Sequence, residues 1–298
     1  HFLSDEKAYV TQIWDPRIYI VNPKTYQITG YVETDMDFET GSTEQMVQYD
    51  KYVFTNCWSY QNRILVIDTE TDKVCDQITV GIQPTSLVMD KYNKIWTVTD
   101  GGYEGSPYGH EAPSLYCIDA ATRKIEKQFK FKFGDWPSEV QLNGTRDTIY
   151  FINKAVWRLP VTADKFPVKP FLPYNNTLYY GLTINPVNSE VYIADAIDYV
   201  QNGVVLRYSP DGELLDEFFQ RPYVAAKVAE GRLRDTWREI VGPAADAETT
   251  ELRLENHILH VRIRSSILRN ELFYQREALG AEINRRSKIR LVNAVIIR

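Results

Sequence analysis

The sequence contains little of what metal, redox and membrane chemistry require. Its 298 residues include three cysteines, Cys57, Cys75 and Cys117, an odd number without CxxC or other metal spacing. We interpret all three cysteines as small apolar residues within strands. No apolar run is long enough to span a bilayer. No signal peptide is found either, but the chain opens at His1 rather than Met, so this absence is no evidence against export.

Catalytic residue patterns are equally scarce. Only one of the four histidines, His110, lies in an internal loop of the N-terminal part, and no nucleophile motif, cysteine or metal-spaced carboxylate accompanies it. Asp35, Asp37 and Asp100 could ligate calcium, but a DxDxDG loop is missing, which favours solvated acidic turns. The sequence therefore predicts a protein that is not an enzyme, with no catalytic residue, no metal site and no resident cofactor.

Charge is unevenly distributed along the chain. Residues 221–298 carry 15 Lys+Arg and 10 Asp+Glu, a net charge of +5, whereas residues 1–220 carry 19 and 30, a net charge of -11. A sign change of this kind indicates two domains with different partners, and only the second favours a polyanion. We predict domains at residues 1–212 and 213–298.

A repeated pattern organises the first domain. Residues 63–74, Arg-Ile-Leu-Val-Ile-Asp-Thr-Glu-Thr-Asp-Lys-Val, form an apolar strand, a polar turn and the start of a second strand. Equivalent positions lie 46, 51, 41 and 48 residues apart, at Ile18, Ile64, Leu115, Val156 and Val204. A period in the forties with several short strands per unit is typical of a β-propeller. We predict four complete four-stranded blades and a first blade without its opening strand, as part of a seven-bladed ring.

The connections between these strands fall into two classes. One class is short and polar, with Asn, Asp, Gly and Pro at turn positions. The other is longer and aromatic, and because alternate loops of a blade emerge at opposite ends, its members should share one face. Large rings with side-chain amides and few charges are typical of a site for a bulky, flat or partly apolar ligand. The alternative is that individual rings wedge between blades. The predicted ligand-binding residues are Trp14, Trp58, Tyr60, Tyr103, Tyr108, Trp136, Tyr179, Tyr180 and Tyr199.

The last part of the chain has a different pattern, which predicts a small α+β domain. A helix is expected over residues 223–240 and stopped by Gly242-Pro243, followed by strands at 250–254 and 257–264 joined by Glu255-Asn256. Ser265-Ser266 should cap the next helix, which continues through Leu279, and a final strand is expected over residues 289–297. Residues 211–220 fit either the last propeller strand or a first amphipathic helix of this domain.

Basic residues of this domain form the second candidate surface. Either a solvated surface or a nucleic-acid surface explains them. His257 and His260 lie on opposite faces of one strand and cannot share a metal ion. The predicted nucleic-acid-binding residues are Arg253, Arg262, Arg264, Arg285, Arg286, Lys288 and Arg290.

The propeller repeats resemble a known group of proteins. The segments Ile-Asp-Thr-Glu-Thr-Asp-Lys-Val at 67–74 and Val-Gly-Ile-Gln-Pro-Thr-Ser at 80–86 resemble the YncE-like propellers. Asn-Cys-Trp-Ser-Tyr-Gln-Asn at 56–62 and the Gly-Gly-Tyr loop at 101–103 are similar to the surface-lipoprotein branch of gut Bacteroidetes, which includes seven-bladed cobalamin-capture proteins of the BtuG type. This resemblance implies capture of cobalamin at the cell surface or in the periplasm and transfer to an outer-membrane transporter.

The C-terminal domain resembles another family. Thr-Trp-Arg-Glu-Ile-Val-Gly at 236–242, Leu-His-Val-Arg-Ile at 259–263 and Ser-Ser-Ile-Leu-Arg-Asn-Glu-Leu at 265–272 resemble DciA, a bacterial family with a KH-like domain that helps to load the replicative helicase and binds DNA. The resemblance implies DNA or the helicase as partner, in the cytoplasm. A Gly-x-x-Gly loop is missing, so the strand clamping of KH domains is not implied.

Two functions follow from these patterns. The first is a ligand-binding propeller, with cobalamin as the transported ligand, joined to a DciA-like domain. The alternative is a propeller that serves as a scaffold for protein contacts, with the C-terminal domain binding nucleic acid or the replicative helicase. The implied compartments conflict, because the propeller type belongs to the cell surface and the C-terminal type to the cytoplasm.

Overall fold

The computed structural model describes residues 1–13, 15–37, 42–175, 178–200, 203–217 and 222–298. The chain divides into two compact units, His1–Asp216 and Glu217–Arg298. No helix among the described residues is long and apolar enough to cross a membrane.

The N-terminal unit is built from antiparallel sheets in which consecutive strands pair. The first sheet contains β1 (Phe2–Ser4), β2 (Lys7–Val10), β3 (Ile18–Asn22) and β4 (Gln27–Val32). The second contains β5 (Ser42–Tyr49), β6 (Tyr52–Trp58), β7 (Arg63–Asp68) and β8 (Lys73–Thr79). The third contains β9 (Pro84–Met89), β10 (Lys94–Thr99), β11 (Ser114–Asp119) and β12 (Ile125–Lys130). Each sheet is one predicted blade.

The last two sheets of this unit differ from each other. The fourth has three strands, β13 (Ser138–Leu142), β14 (Thr148–Asn153) and β15 (Ala155–Pro160), and a single bridge between Val156 and Leu172 stands in place of a fourth strand. The fifth contains β16 (Tyr179–Ile184), β17 (Val191–Asp195), β18 (Val204–Tyr208) and β19 (Leu214–Glu217). Residues 214–217 therefore form the last propeller strand rather than the start of a helix.

The predicted strand count was wrong in the first sheet and in the fourth. Residues 2–4 form the opening strand that was expected to be missing. Three residues are too few to show an alternating pattern, so this strand carries no periodic signal. In the fourth sheet, the segment after Pro160 makes only one bridge to its neighbour.

Neighbouring sheets pack face to face around their first strands. The side-chain oxygen of Gln45 on β5 accepts a hydrogen bond from the amide of Leu87 on β9 at 2.9 Å, and Ser86 Oγ accepts one from the amide of Val140 on β13 at 3.2 Å. These contacts join equivalent positions, and the turns that follow the first strands also meet: the amide of Lys91 donates to the carbonyl of Arg146, and the amide of Gly144 donates to Ser189 Oγ. The first strands therefore run parallel to one another. Apolar side chains fill the space between sheets, as Phe54 and Ile95 do between the second and third. Each such side chain contributes about 1.5–3 kcal/mol.

The C-terminal unit is a small α+β fold. It contains α1 (Pro222–Gly231), α2 (Leu233–Ala247), β20 (Thr249–Glu255), β21 (Ile258–Ile263), α3 (Ser266–Tyr274), α4 (Arg276–Ser287) and β22 (Ala294–Ile297). The sheet order is β20-β21-β22, with β20 antiparallel and β22 parallel to β21. Leu259, Val261 and Ile263 point to the core, together with Trp237 and Ile283.

Several element boundaries of this unit differ from the prediction. The single helix expected over 223–240 is two helices. The expected stop at Gly242-Pro243 is confirmed, because Gly242 has non-helical φ/ψ (82°, 164°) and a new helical stretch follows it within α2. The helix that Ser265 caps ends at Tyr274, and α4 follows after Gln275. The last strand is four residues long rather than nine. Propensity and apolar spacing do not detect breaks of one residue between two helices of similar pattern.

The hairpin between β20 and β21 turns one residue later than predicted. Asn256 and His257 both have positive φ, 49° and 61°, as a two-residue turn of this kind requires. His257 Nδ1 lies 3.0 Å from the carbonyl oxygen of Leu291, and its own carbonyl accepts from the amide of Asn293. His257 thus fixes the hairpin tip against the segment before β22, which is a structural role.

Candidate functional site

The strand order sorts the loops of the N-terminal unit between its two ends. In each sheet the first-to-second and third-to-fourth connections lie at one end, and the second-to-third connection lies at the other. Because the first strands are parallel, this sorting is the same in neighbouring sheets. The short turns meet at one end, where the amide of Lys91 donates to the carbonyl of Arg146. The long aromatic connections therefore share the opposite end, which we call the aromatic face.

Three tyrosines from two sheets meet on the aromatic face. Tyr60, after β6, stacks on Tyr108 with ring centroids 4.5 Å apart. Tyr103 meets Tyr60 edge-on at 6.3 Å, and both Tyr103 and Tyr108 are exposed. The two loops therefore build one ring cluster, which offers apolar surface and phenol hydroxyls to solvent.

A second ring pair lies on the fifth sheet. Tyr180 and Tyr199 meet edge-on at 6.0 Å, and both are exposed. Tyr179 precedes them on β16 and is half-buried. Trp136, in the loop before β13, is 62% exposed, and its amide donates to Asn153 Oδ1 at 3.4 Å. These residues thus lie at the same end of the unit as the first cluster.

Other members of the candidate set differ in exposure. Trp58 ends β6 and is half-buried, so only part of its ring can reach a ligand. Trp14 lies outside the described residues. The sequence analysis did not select Phe133 as a candidate, yet its exposed ring contacts His110 with centroids 4.4 Å apart. Its position in the same connection as Trp136 is the signal that could have identified it.

Two carboxylates hold the base of the loop between β10 and β11. Asp100 is buried and accepts a hydrogen bond from the amide of Gly102 at 2.8 Å. Burial raises the pKa of Asp100 to about 6. Glu111 accepts one from the amide of Ile82 at 2.7 Å. At Gly101, φ is +82° and an added Cβ would lie 2.2 Å from the carbonyl oxygen of Glu111, so the closure of this loop requires glycine.

A bulge recurs in the first strand of every described sheet of this unit. The register against the second strand shifts between residues 2 and 4, 43 and 46, 84 and 86, 138 and 141, and 179 and 181. Bulges re-aim side chains near functional sites. Two of the shifts contain Glu44 and Glu139, at the end where the aromatic loops enter. Burial raises the pKa of both carboxyls, and the charge of Glu139 raises that of Glu44 further.

The acidic residues do not form a metal centre within the described ranges. No group of three or more His, Cys, Asp or Glu side chains there could hold a metal ion. Asp35, one of the calcium candidates, forms an ion pair with Arg63 at 2.8 Å, which lowers the pKa of its carboxyl. Asp100 is occupied at the base of its own loop.

The predicted nucleic-acid residues of the C-terminal unit divide into two groups. Four of the seven lie in ion pairs with neighbouring glutamates: Arg253 with Glu255, Arg262 with Glu251, Arg285 with Glu282, and Arg286 with Glu282 and Glu239. Among the described residues, Arg264, Lys288 and Arg290 have no such partner. The arginines lower the pKa of Glu282 to about 2, so this carboxylate stays ionised and offsets their charge.

Comparison with known proteins separates the same two parts of the chain. Residues 211–297 match the family model described as Dna[CI] antecedent, DciA. The C-terminal unit is DciA-like. The match begins before the end of the last propeller strand, at the turn that precedes β19. The comparison with curated proteins finds no match.

The solved structures that resemble the chain are propellers. A quinoprotein alcohol dehydrogenase-like protein from Bacteroides thetaiotaomicron is 15% identical with a TM-score of 0.53, over 72% of this chain and 53% of that one. The Dos1 propeller is 13% identical with a TM-score of 0.53, over 72% and 58%. The computationally designed Ika8 protein is 12% identical with a TM-score of 0.51, over 72% and 59%. The chain thus spans little more than half the length of these structures, and the likeness establishes the propeller fold.

Proposed function

We propose that the N-terminal unit is a non-enzymatic receptor that binds a bulky, flat ligand on its aromatic face. The observation that carries this proposal is the cluster of Tyr60, Tyr103 and Tyr108, whose rings come from two sheets and of which Tyr103 and Tyr108 remain exposed. A fold that needed these rings for its own stability would bury them.

Cobalamin is the ligand that we propose first. A corrin offers a flat face to the tyrosine rings, and its amide side chains could donate hydrogen bonds to carboxylates such as Glu44 and Glu139, which lie at the same end. Delivery to an outer-membrane transporter and a place on the cell surface, as a lipoprotein, belong to the same proposal. Cobalamin would be cargo and not a cofactor.

Calorimetric titration of the full chain with cyanocobalamin tests this proposal. We expect saturable binding that weakens roughly tenfold in Tyr103→Ala and Trp136→Ala. The matched control is Tyr26→Ala, which removes an exposed ring from the β3–β4 turn at the opposite end and should change nothing. A wild-type chain that does not bind any corrinoid would refute the choice of ligand.

The alternative for this unit is a scaffold for protein contacts. It is favoured by the solvent exposure of Tyr180 and Tyr199, since large rings on loops also serve as anchors in protein interfaces. Moreover, the cavity of about 450 Å³ lined by Phe2, Asp5 and Lys24 lies towards the end that carries the short turns, opposite the aromatic face. This cavity therefore does not support a small-molecule site on the aromatic face. Capture of a defined protein that tyrosine substitution abolishes, without any corrinoid binding, would establish this alternative.

For the C-terminal unit we propose interaction with DNA and with the replicative helicase, as its DciA likeness implies. The α+β fold and the net charge of +5 over residues 221–298 support a polyanionic or acidic partner. Titration of the full chain into the helicase hexamer and, separately, into single-stranded and duplex DNA at low and high salt tests both partners. If neither is bound at low salt, this proposal fails.

The two proposed functions belong to different compartments. A surface receptor is exported, whereas helicase loading takes place in the cytoplasm. Fractionation of cells that express the full chain, with an antibody against each unit, will assign the compartment. Recovery of both epitopes in the cytoplasm alone would remove the cell-surface part of the proposal.

A further inference from the structure

A groove in the C-terminal unit combines exposed apolar side chains with arginines that lack carboxylate partners. It has a volume of about 710 Å³ and lies between α3 and the end of β22. Ile267 and Phe273 supply its exposed apolar surface, the buried Ile297 lies at its base, and Arg269 and Arg298 supply its charge. No acidic side chain lines it.

The groove uses the face of α3 that the fold leaves free. Leu268 and Leu272 pack towards the core. Ser266, Arg269, Asn270 and Phe273 follow the spacing i, i+3, i+4 and i+7, which places them along one side of the helix. Helix α3 has nine residues and is thus about 13 Å long, enough to contact two to three turns of a docked helix.

Exposure on this face is unusual for the C-terminal unit. Ile267 is 80% exposed and Phe273 is 44% exposed. The neighbouring Tyr274 adds a further exposed ring, in edge contact with Phe273 at 5.9 Å. Contiguous exposed apolar side chains rimmed by polar residues mark interaction sites.

The charge around the groove also distinguishes it from the predicted basic surface. Arg253, Arg262 and Arg285 are paired with glutamates of the same unit. In the described part of the chain, Arg269 and Arg298 have no carboxylate within ion-pair distance. Their charges are therefore available to a partner, and the complementary partner is acidic.

We propose that this groove docks an amphipathic helix with an apolar stripe and acidic flanks, contributed by the replicative helicase. The inference rests on the function proposed above for the C-terminal unit and names the surface and the chemistry of its partner. Apolar anchors of the docked helix would contact Ile267 and Phe273, while its acidic residues would face Arg269 and Arg298.

Single-stranded nucleic acid fits the groove less well. Base stacking needs an open ring face, but the guanidinium of Arg276 lies over the ring of Phe273, 4.6 Å from its centroid. Ile267 and Ile297 are aliphatic and offer no stacking surface. Because the groove combines aliphatic side chains with few cations, a protein helix fits it better than a nucleic-acid strand.

The test measures binding of the full chain to the helicase hexamer from the same organism. Ile267→Asp and Arg269→Glu change exposed groove positions, so the fold should tolerate them. Each is expected to weaken helicase binding roughly tenfold or more. The matched control is Lys227→Glu, a charge reversal at an exposed position of α1 that belongs neither to the groove nor to the predicted nucleic-acid-binding residues, and it should stay within about twofold of wild type.

A parallel titration with a single-stranded oligothymidylate separates the outcomes. Groove variants that bind the helicase as tightly as wild type overturn the inference, and the helicase role itself survives. Loss of oligothymidylate binding with unchanged helicase binding also overturns it, in favour of nucleic acid. If the wild-type chain does not bind the helicase, the proposed helicase role fails and the inference fails with it.

Cross-linking tests the chemistry of the partner. Benzoylphenylalanine introduced at position 267 of the full chain should cross-link to one helical segment of the helicase that carries acidic residues beside an apolar stripe. Cross-links to a non-helical or basic segment would overturn the proposed helix-in-groove contact.

Discussion

The two surfaces predicted from the sequence differ in how many of their side chains already have charged or polar partners within the protein. On the aromatic face, Tyr103, Tyr180 and Tyr199 stay exposed, and each meets a neighbouring tyrosine ring edge-on. On the predicted basic surface, Arg262 and Arg286 are held by glutamates of the same unit. Aromatic residues concentrated in loops therefore predicted an exposed surface more reliably than basic residues predicted available positive charge.

The difference has a physical cause. A ring on a loop has few intramolecular partners, because the strands below it already pack their own apolar faces. An arginine side chain is long, and glutamates are common on the same strands and helices, so ion pairs form wherever geometry permits. Each exposed pair contributes little to stability, but it lowers the charge that a phosphate encounters.

The largest expected effect tests whether the compared regions are independent folding units. Trp237 is fully buried in the C-terminal core, and its Nε1 donates to Thr249 Oγ1 at 3.1 Å. Trp237→Ala should cost about 3–5 kcal/mol of unfolding free energy. Calorimetry should then show loss of the C-terminal transition with the propeller transition unchanged. The control Trp136→Ala, at an exposed position, should stay within about 0.5 kcal/mol of wild type. A single transition that shifts as a whole would contradict the division.

A smaller effect on stability is expected at the base of the loop between β10 and β11. Gly101→Ala should destabilise the N-terminal unit by about 1–3 kcal/mol, because positive φ is combined with a clash against the carbonyl of Glu111. Gly105→Ala is the matched control, since it has nearly the same φ, +83°, but no heavy atom within 4 Å of the added Cβ. Urea unfolding measures both. Equal losses would mean that the closure of the loop contributes nothing beyond the backbone preference.

The sequence predicted the repeat and its sidedness because both follow from local patterns. Alternation along Arg63–Asp68 specifies a strand, and Ser265 accepts the capping hydrogen bond from the amide of Leu268 as expected. Features that depend on residues far apart in the sequence could not be predicted from these local patterns. The ion pair between Arg286 and Glu239 joins residues 47 positions apart, and no local signal indicates it. The receptor and nucleic-acid roles of the two surfaces stay predictions.

The pH dependence of the aromatic face follows from Asp100. Burial raises its pKa to about 6, so the folded protein holds a proton that the unfolded chain releases above about pH 4. The free energy of unfolding should therefore fall as the pH rises from about 4 to about 6, by up to about 3 kcal/mol.

Asp100→Asn isolates this contribution from other carboxyls, because the amide oxygen can still accept from Gly102. The variant should be more stable than wild type at pH 7 and equal to it near pH 4. Thermal unfolding of both proteins across this range measures the difference. An Asn variant that is less stable than wild type at pH 7 would show that the carboxylate charge stabilises the loop.

The smallest expected effect is on DNA affinity, and it tests whether ion pairing within the unit limits the charge of the predicted basic surface. Glu282 pairs with both Arg285 and Arg286 across one turn of α4, at 2.6 and 2.8 Å. Glu282→Gln removes the carboxylate, which releases Arg285 and leaves Glu239 as the remaining ion-pair partner of Arg286. If internal pairing is what keeps this surface from binding DNA, affinity for duplex DNA should rise about three- to tenfold at low salt, with a steeper salt dependence.

Glu277→Gln is the control for net charge. Glu277 lies in the same helix, but it pairs with a single arginine, Arg276, at the longer distance of 3.8 Å. It changes the charge by the same amount without releasing the pair, so its effect on DNA binding should be smaller. Equal gains in the two variants would mean that net charge alone sets the affinity. The number of basic residues would then be the better guide, and the contrast between the two surfaces would rest on the exposed rings alone.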